Sequence, residues 1–261
     1  GGLAGDALTS SADNTAVGYQ ALGSATTGNE NTAIGHSALF TNILSDRNVA
    51  LGVDALRNHN QASSIDSYNT AVGYNSGATV STGQRNTLIG GLSGDGLNAG
   101  LDNTSLGYNA LGTETSGARS VAVGSEALAT QNVGSGTAVY NTAVGYTAGN
   151  AVTTGINNTF IGGRAGLLTT TASNNTSVGS NSLRANTTGH TNSSFGQDSM
   201  RFNTTGAQNV AVGQQALHNN TSASDNTAVG FKAGYVVTTG ANNTAVGASA
   251  LLANTTGASN T

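Results

Sequence analysis

The chain has 261 residues, of which 38 are glycine and none is cysteine, proline or tryptophan, and its formal net charge is −4. Without cysteine it forms neither a disulfide nor a thiolate metal site. Only eight Lys and Arg residues are scattered along the chain, which argues against nucleic-acid binding, and no apolar run is long enough for a membrane span.

One five-residue phrase organises the chain. It reads Asn-Thr-Ala-Val-Gly at residues 14–18, and its glycine returns with a period of 17, except for two intervals of 21. A period this short indicates a solenoid, in which each repeat forms one coil stacked on the next. We therefore predict an all-β parallel β-solenoid of about fifteen 17-residue coils, a single continuous array over residues 1–261. Coil positions are numbered from these glycines as position 0, which after Gly1 are Gly18, Gly35, Gly52, Gly73, Gly90, Gly107, Gly124, Gly145, Gly162, Gly179, Gly196, Gly213, Gly230 and Gly247.

Each phrase is predicted to form a short strand. Position −3 is mostly Thr or Val, position −1 is apolar, and position −2 between them is mostly Ala or Ser, as in Thr15, Ala16 and Val17. Alternating β-branched residues are typical of a half-buried strand. We therefore predict that Thr15 and Val17 point into the coil and that Ala16 points outward. The glycine then ends the strand in a close turn.

A large apolar residue follows the glycine at one of two positions. Where position +4 is Leu, as at Leu22, position +7 is small or polar, as at Ala25. Where position +4 is Gly, as at Gly77, position +7 is apolar, as at Val80. One large side chain per coil is what a close-packed interior of fixed volume requires. The pattern therefore predicts an ordered core.

Asparagine at position −4 forms a column along the chain. It begins with Asn14 and Asn31, and Ser120 interrupts it. Stacked amides satisfy one another's donors and acceptors, so we predict an amide ladder along the solenoid axis. A longer repeat is superimposed on the short one, and the chain starts and stops within that longer repeat. We therefore expect these residues to belong to a longer array.

Two four-residue insertions account for the longer intervals. They fall within residues 53–68 and 125–140. Loops that project from a rigid scaffold often bind partners, so both are candidate contact loops. Aromatic residues at position +1 form an interrupted stripe that we predict to cover the edge of a turn, with stacking on sugar rings as the alternative. The stripe consists of Tyr19, Tyr74, Tyr108, Tyr146 and Phe231.

No catalytic or metal-binding pattern is evident. The four histidines occupy four different coil positions, whereas a metal site would need them stacked or facing one another, so we predict that they are surface residues. Asp13, Asp102 and Asp225 share a position but belong to distant coils. We predict no enzymatic activity, no cofactor and no metal site. The histidines are His36, His59, His190 and His218.

A single coil is too small to fold alone. Each buried apolar group contributes roughly 1.5–3 kcal/mol, while ordering the backbone costs about 1–2 kcal/mol per residue. Association through the small residues at position −2, such as Ala16 and Ala33, would add stability. We predict a homotrimer, with a head-to-tail filament as the alternative.

The phrase Asn-Thr-Ala-Val-Gly-x-x-Ala-Leu resembles the Ser-Val-Ala-Ile-Gly-x-x-Ala repeat of trimeric autotransporter adhesin heads, the YadA-like family. Residues 120–127, Ser-Val-Ala-Val-Gly-Ser-Glu-Ala, are nearly that motif. The arrays are also similar to Asn-Thr-Ala-Ile-Gly repeats of phage tail fibres. The resemblance covers essentially the whole chain and implies a left-handed parallel β-roll, a trimer and an extracellular location on a cell surface or virion. The family's repeats are commonly shorter than the repeats of this chain.

These observations favour a structural or adhesive segment of an extracellular fibre, a phage tail fibre or a bacterial surface adhesin, with a surface glycan or host-cell receptor as its partner. An ice-binding solenoid is one alternative, but it needs an outward Thr array, and the Val residues at positions 49, 121 and 210 suggest that this column points inward. A polysaccharide-binding or polysaccharide-processing β-helix is the other alternative. An enzyme of that kind needs acidic residues clustered on adjacent coils, and none stands out.

Overall fold

The computed structural model describes residues 1–134 and 137–261. The chain divides into two compact units, unit 1 from Gly1 to Val139 and unit 2 from Tyr140 to Thr261. Throughout the described residues the regular structure is β-strand, and no helix there could cross a membrane. The prediction that residues 1–261 form one continuous array stays a prediction.

Every complete phrase of the repeat forms a three-residue strand, seven in each unit among the described residues. Two further two-residue strands lie in unit 1. Unit 1 holds β1 (Thr15–Val17), β2 (Thr32–Ile34), β3 (Ser45–Asp46), β4 (Val49–Leu51), β5 (Ile65–Asp66), β6 (Thr70–Val72), β7 (Thr87–Ile89), β8 (Thr104–Leu106) and β9 (Val121–Val123). Unit 2 holds β10 (Thr142–Val144), β11 (Thr159–Ile161), β12 (Thr176–Val178), β13 (Ser193–Phe195), β14 (Val210–Val212), β15 (Thr227–Val229) and β16 (Thr244–Val246).

The strands stack in parallel with the predicted register. In unit 1 Thr15 pairs with Thr32, and in unit 2 Thr142 pairs with Thr159, in each case one period further along the chain. The offset is longer across the first insertion, where Val49 pairs with Thr70. Each unit is therefore a parallel β-solenoid in which one coil follows another, and the predicted fold class and period are confirmed.

The predicted inward and outward faces of the strands were wrong. The small residue at position −2 is buried in nearly every coil, as at Ala33 and Ala211, whereas the flanking Thr and apolar residues face outward. The interior is narrow because the Ala at position +3 and the Leu at position +4 already occupy it. Ala33, for example, shares the buried cluster of unit 1 with Ala38 and Leu39. Where position +4 is Leu, little room is left for a larger residue at position −2. The column at position −2 is buried, so it cannot be the predicted association face.

The prediction that one large apolar side chain fills the core from either position +4 or position +7 is confirmed. Leu22 and Leu183 at position +4 are fully buried, and so are Val80 and Val152 at position +7 of coils with Gly at +4. Two coils carry a further large residue at position −2, and both have Gly at +4. These are Leu88, which faces Gly94, and Phe160, whose ring would overlap a side chain placed on Gly166.

The repeating glycine is required by the close approach of neighbouring coils. A Cβ on Gly73 would lie 2.6 Å from the carbonyl of Gly90, and one on Gly196 would lie 2.6 Å from that of Gly213. These glycines also have φ near +135°, a conformation that L side chains rarely adopt. The glycine column therefore sets the spacing of the stack as well as ending each strand.

The predicted amide ladder at position −4 is present. The Nδ2 group of Asn192 donates to the carbonyl of Gly206 at 2.9 Å, which ties the strand to the second turn of its own coil. Its Oδ1 atom accepts bonds from the backbone N–H and the Nδ2 group of Asn209 at 3.0 and 3.1 Å. Ser120 keeps the backbone bond to the Oδ1 atom of Asn103 but offers no amide.

Candidate functional site

The outer side of each parallel strand stack presents two adjacent columns of side chains, at positions −3 and −1. We call this surface the strand face. Position −1 is exposed in most coils, by 53 % at Val17, 40 % at Ile161 and 68 % at Val246. Position −3, mostly Thr, is half-buried to exposed. Neighbouring side chains lie about 4.8 Å apart between coils and about 6.6 Å apart along a strand. The strand face is thus a flat array of methyl and hydroxyl groups.

The Val column at positions 49, 121 and 210 also lies on the strand face. Val49 and Val210 are 39 % and 36 % exposed. Val in place of Thr therefore does not indicate an inward column, and that prediction was wrong. A β-branched residue fits a strand on either face, and the width of the coil decides which face is buried.

The histidine prediction was wrong for two of the four residues. His59 is fully buried and His218 is nearly so. His59 lies at position +7 of the coil that carries the first insertion, and neither ring nitrogen makes a hydrogen bond of normal geometry. Burial lowers the pKa of His59 to about 4, and the nearby Ser81 backbone offsets only part of this shift. His36 stacks on Tyr19 with ring centroids 5.3 Å apart.

Position +7 also carries a buried acid in unit 1. Glu114 is fully buried, and its Oε1 atom accepts a 2.7 Å hydrogen bond from the backbone of Gly117. Its Oε2 atom accepts a 3.0 Å bond from Gln131, one coil further. The Glu114 carboxylate thus links its own turn to the side chain at position +7 of the next coil. Asn186 makes the same kind of link in unit 2, where the Nδ2 group of Asn203 donates to it. Glu114 is therefore a structural residue of the coil interior.

Asp102, one of the three aspartates at a shared position, lies between two arginines. Its carboxylate accepts a 2.6 Å bond from the Nε group of Arg85 and lies 3.9 Å from the Nε group of Arg119. The hydrogen bond from Arg85 lowers the pKa of Asp102. These three side chains border a shallow cavity of about 200 Å³ with an apolar floor that includes Leu101 and Ala118. The other two aspartates of the set do not join it.

The first insertion is held by a strand pair and by side-chain contacts. Its strand β5 pairs with β3, and Arg47 bridges Glu30 at 3.0 Å and also contacts Asp66. Tyr68 donates to Asp66 at 3.1 Å. The second insertion, within 125–140, includes Ser135 and Gly136, which lie outside the described residues. The expectation that either loop contacts a partner stays a prediction.

The aromatic stripe at position +1 lies on the surface. Tyr19, Tyr74, Tyr108, Tyr146 and Phe231 are 48–60 % exposed, so these rings leave much of their area open to solvent.

Among the described residues no three His, Cys, Asp or Glu side chains are grouped so that they could hold a metal ion. Comparisons with protein-family models, with curated proteins and with solved structures give no match.

Proposed function

We propose that this chain is a structural and adhesive segment of an extracellular fibre, in which copies associate as a homotrimer through the strand face. The observation that supports this proposal is the exposed apolar column at position −1, which runs along both units. Soluble monomers rarely expose contiguous apolar patches larger than a few hundred Å². A second copy of the chain is the occupant that matches a flat, uncharged and regularly spaced array. In the trimer each copy would place its position −3 column against one neighbour and its position −1 column against the other.

The number of coils matters for this association. Seven strands about 4.8 Å apart and three residues long give a strand face of roughly 300 Å² per unit. A standard interface uses about 800 Å² from each partner. The strand faces of this chain alone fall short of that area, so its trimer is expected to depend on protein concentration and to become more stable with each added coil.

The fibre role follows from the assembly. A stack of identical coils forms a stiff spacer, and three chains present each outward feature three times, which raises avidity without any new contact. We place the segment outside the cell, on a bacterial surface or a virion, with a surface glycan or host receptor as its partner. The resemblance of the repeat phrase to adhesin heads and tail fibres supports this assignment, and no enzymatic activity is proposed.

Sedimentation of matched variants tests the proposal. The wild-type chain is expected to sediment at three times its 25.6 kDa mass. Ile161→Lys combined with Val212→Lys places two charges on the strand face and should give folded monomers. Leu168→Lys combined with Leu252→Lys changes two similarly exposed apolar residues outside the strands and should leave the trimer intact. A folded wild-type monomer would overturn the proposal.

A second candidate function is ice binding, favoured by the outward Thr column beside the Val and Ile column. The flat array that such a surface requires is on the outside of each unit. This candidate needs the strand face free, whereas the fibre proposal covers it. Thermal hysteresis in the wild-type solution, lost in the Ile161→Lys and Val212→Lys variant, would favour ice binding. Its absence in a trimeric sample would favour the fibre.

A further inference from the structure

Unit 2 carries a group of aromatic and basic side chains outside its strands. They lie on successive coils, at positions +1, +2, +5 and +6, and we call the group the aromatic–basic ledge. Neither the repeat phrase nor the strand face accounts for it. Its members are Arg201, Phe202, His218, Phe231, Lys232 and Tyr235.

The rings of the ledge contact one another across coils. His218 stacks on Tyr235 with centroids 4.9 Å apart and an interplanar angle of 12°. Phe202 meets His218 edge to face, with centroids 5.0 Å apart. His218 is nearly buried by these contacts, but Phe202 and Phe231 remain 41 % and 48 % exposed. The ledge is therefore an ordered platform with open aromatic surface at both ends.

The cations of the ledge are held against these rings. The Nζ atom of Lys232 lies 5.1 Å from the Phe231 centroid and 5.5 Å from that of Tyr235. The guanidinium carbon of Arg201 lies 5.4 Å from the Phe202 centroid, and its Nη1 group donates to Asp198 at 3.2 Å. Cation–π contacts restrict these long side chains, so less entropy is lost when a ligand binds them.

The charge around the ledge favours an anionic partner. Unit 2 contains four Lys and Arg residues and only two acidic residues, whereas unit 1 contains four and ten. Of the two acids, Asp198 is only 11 % exposed in its side chain and pairs with Arg201. That pair cancels in charge, so the excess positive charge beside the ledge comes from Lys232 and Arg184. Arg184 lies one coil before Arg201 at the same position, which extends the basic edge.

Unit 1 provides a natural comparison for the ledge. Asp54 and Arg57 occupy the same coil positions as Asp198 and Arg201, and their side chains lie 3.6 Å apart. The residue after Arg57 is Asn58, and the next coil has Ala78 at position +5. Unit 1 therefore has the ion pair without the aromatic platform, which makes Arg57 a matched control for Arg201.

We propose that the aromatic–basic ledge binds a carboxylated polysaccharide. Exposed rings can pack on the apolar faces of sugar rings, and an arginine guanidinium pairs with carboxylates in a bidentate geometry. Rings follow one another on three successive coils about 4.8 Å apart, and Arg201 and Lys232 lie two coils apart on the same ledge. This linear arrangement suits an extended polymer better than a compact ligand. The inference rests on the proposed adhesive function and assigns its partner class and binding surface.

Calorimetric titration with defined oligosaccharides tests the assignment. The probes are oligomers of polygalacturonate, alginate and hyaluronan, with neutral dextran as the control. At least one carboxylated oligomer is expected to bind, dextran is not, and the affinity should fall as salt rises. Arg201→Ala combined with Lys232→Ala should weaken binding at least tenfold, and Phe202→Ala should weaken it at unchanged salt dependence. Arg57→Ala should leave the affinity within twofold of wild type.

The outcomes separate this inference from the fibre proposal. Absence of binding to all three anionic oligomers, or an equal loss in the Arg57→Ala variant, would overturn the ledge as a glycan site. Binding of a single-stranded oligonucleotide through the same residues, with no glycan bound, would overturn it too. The oligomeric state of each variant, measured in the same buffer, reports on the fibre proposal independently, because no ledge residue lies on the strand face.

Discussion

Units 1 and 2 share one backbone plan and one strand face but differ in the charged and aromatic side chains at their other outward positions. Both have seven repeat strands within the described residues, a glycine column, an asparagine ladder and a small residue at position −2. Unit 1 contains ten acidic residues and both insertions, whereas unit 2 contains two acidic residues and the aromatic–basic ledge. The difference shows that a few inward and axial positions specify the coil, while the remaining positions are free to carry function.

The interior differs as well at position +7. In unit 2 three consecutive coils place Asn186, Asn203 and Asn220 there, joined by amide hydrogen bonds. In unit 1 the buried polar residues at this position are Asn42, His59, Glu114 and Gln131, so the side chains differ from coil to coil. Unit 2 therefore has the more regular polar interior. The predictions below test which features the units share and which they do not.

The largest expected effect concerns the shared glycine column. Gly73→Ala in unit 1 and Gly196→Ala in unit 2 each force a Cβ against the next coil, and we expect each to cost about 3 kcal/mol or more of unfolding free energy. Gly247→Ala is the control, because its φ is also positive but nothing lies within 4 Å of the added Cβ. Chemical denaturation followed by circular dichroism measures all three. Equal losses in all three variants would show that backbone strain, and not stacking, requires the glycine.

The second prediction concerns the exchange of volume between positions −2 and +4. Phe160→Ala in unit 2 should cost about 3–5 kcal/mol and Leu88→Ala in unit 1 about 2–5 kcal/mol, because both side chains are fully buried. Adding Gly166→Leu to Phe160→Ala should recover part of the loss, since Leu occupies position +4 elsewhere with φ near +50°. Gly94→Leu should not rescue Leu88→Ala, because a Cβ on Gly94 already lies 3.0 Å from the buried Leu97 side chain. Further destabilisation by Gly166→Leu would contradict a shared interior volume.

The third prediction is that the stability of unit 1 depends on pH through His59. Because the folded-state pKa of His59 is lowered from 6.5 to about 4, the unfolded state binds a proton first as pH falls. Stability should therefore be unaffected above pH 6.5 and decline by about 3 kcal/mol between pH 6.5 and 4. Hydrogen exchange of unit 1 amides measures this decline.

His59→Leu should remove that part of the pH dependence, since Leu cannot titrate and fills a similar volume. His190→Leu, at an exposed position in unit 2, should leave it unchanged. An unaltered pH profile in the His59→Leu variant would mean that other groups account for the loss of stability in acid.

The smallest expected effect concerns the surface ion pairs that are concentrated in unit 1. Arg85→Ala removes a partner of Asp102, but both side chains are one-third or more exposed, so we expect at most about 1 kcal/mol. Urea denaturation at low and high salt measures it. A larger, salt-independent loss would show that the cavity beside Arg85 has a structural role.

Much of the fold could be predicted from the sequence because residues that stack in a solenoid recur at a fixed spacing along the chain. The register of the coils, the strands, the Asn ladder and the exchange between Leu22-type and Val80-type residues all follow from spacing and volume. The face of the strand could not be read from Thr15, Ala16 and Val17 alone, because alternation defines two faces without saying which is inside. Leu88 and Phe160 could have shown that position −2 is the inward one. A large residue occurs at position −2 only where position +4 is Gly, which indicates that the two positions share the interior.

The candidate sites were harder to predict. The aromatic–basic ledge combines different coil positions, and its residues approach one another only after the turns are folded, as with Phe202 and His218. His59 could have been predicted as buried, because it lies at position +7, which is also buried in the coils before and after it, at Asn42 and Val80. Spacing therefore identifies residues that stack and says little about groups that meet across turns.

Disulfide formation between introduced cysteines tests most directly the claim that residues one period apart are neighbours on the strand face. The chain contains no cysteine, so Val144→Cys with Ile161→Cys gives a clean pair on adjacent strands, about 4.8 Å apart. We expect this pair to form a disulfide within one chain on mild oxidation, and Val144→Cys with Val178→Cys, two coils apart, not to do so. Bridging of the second pair in preference to the first, or of neither pair, would contradict the stacked-coil account.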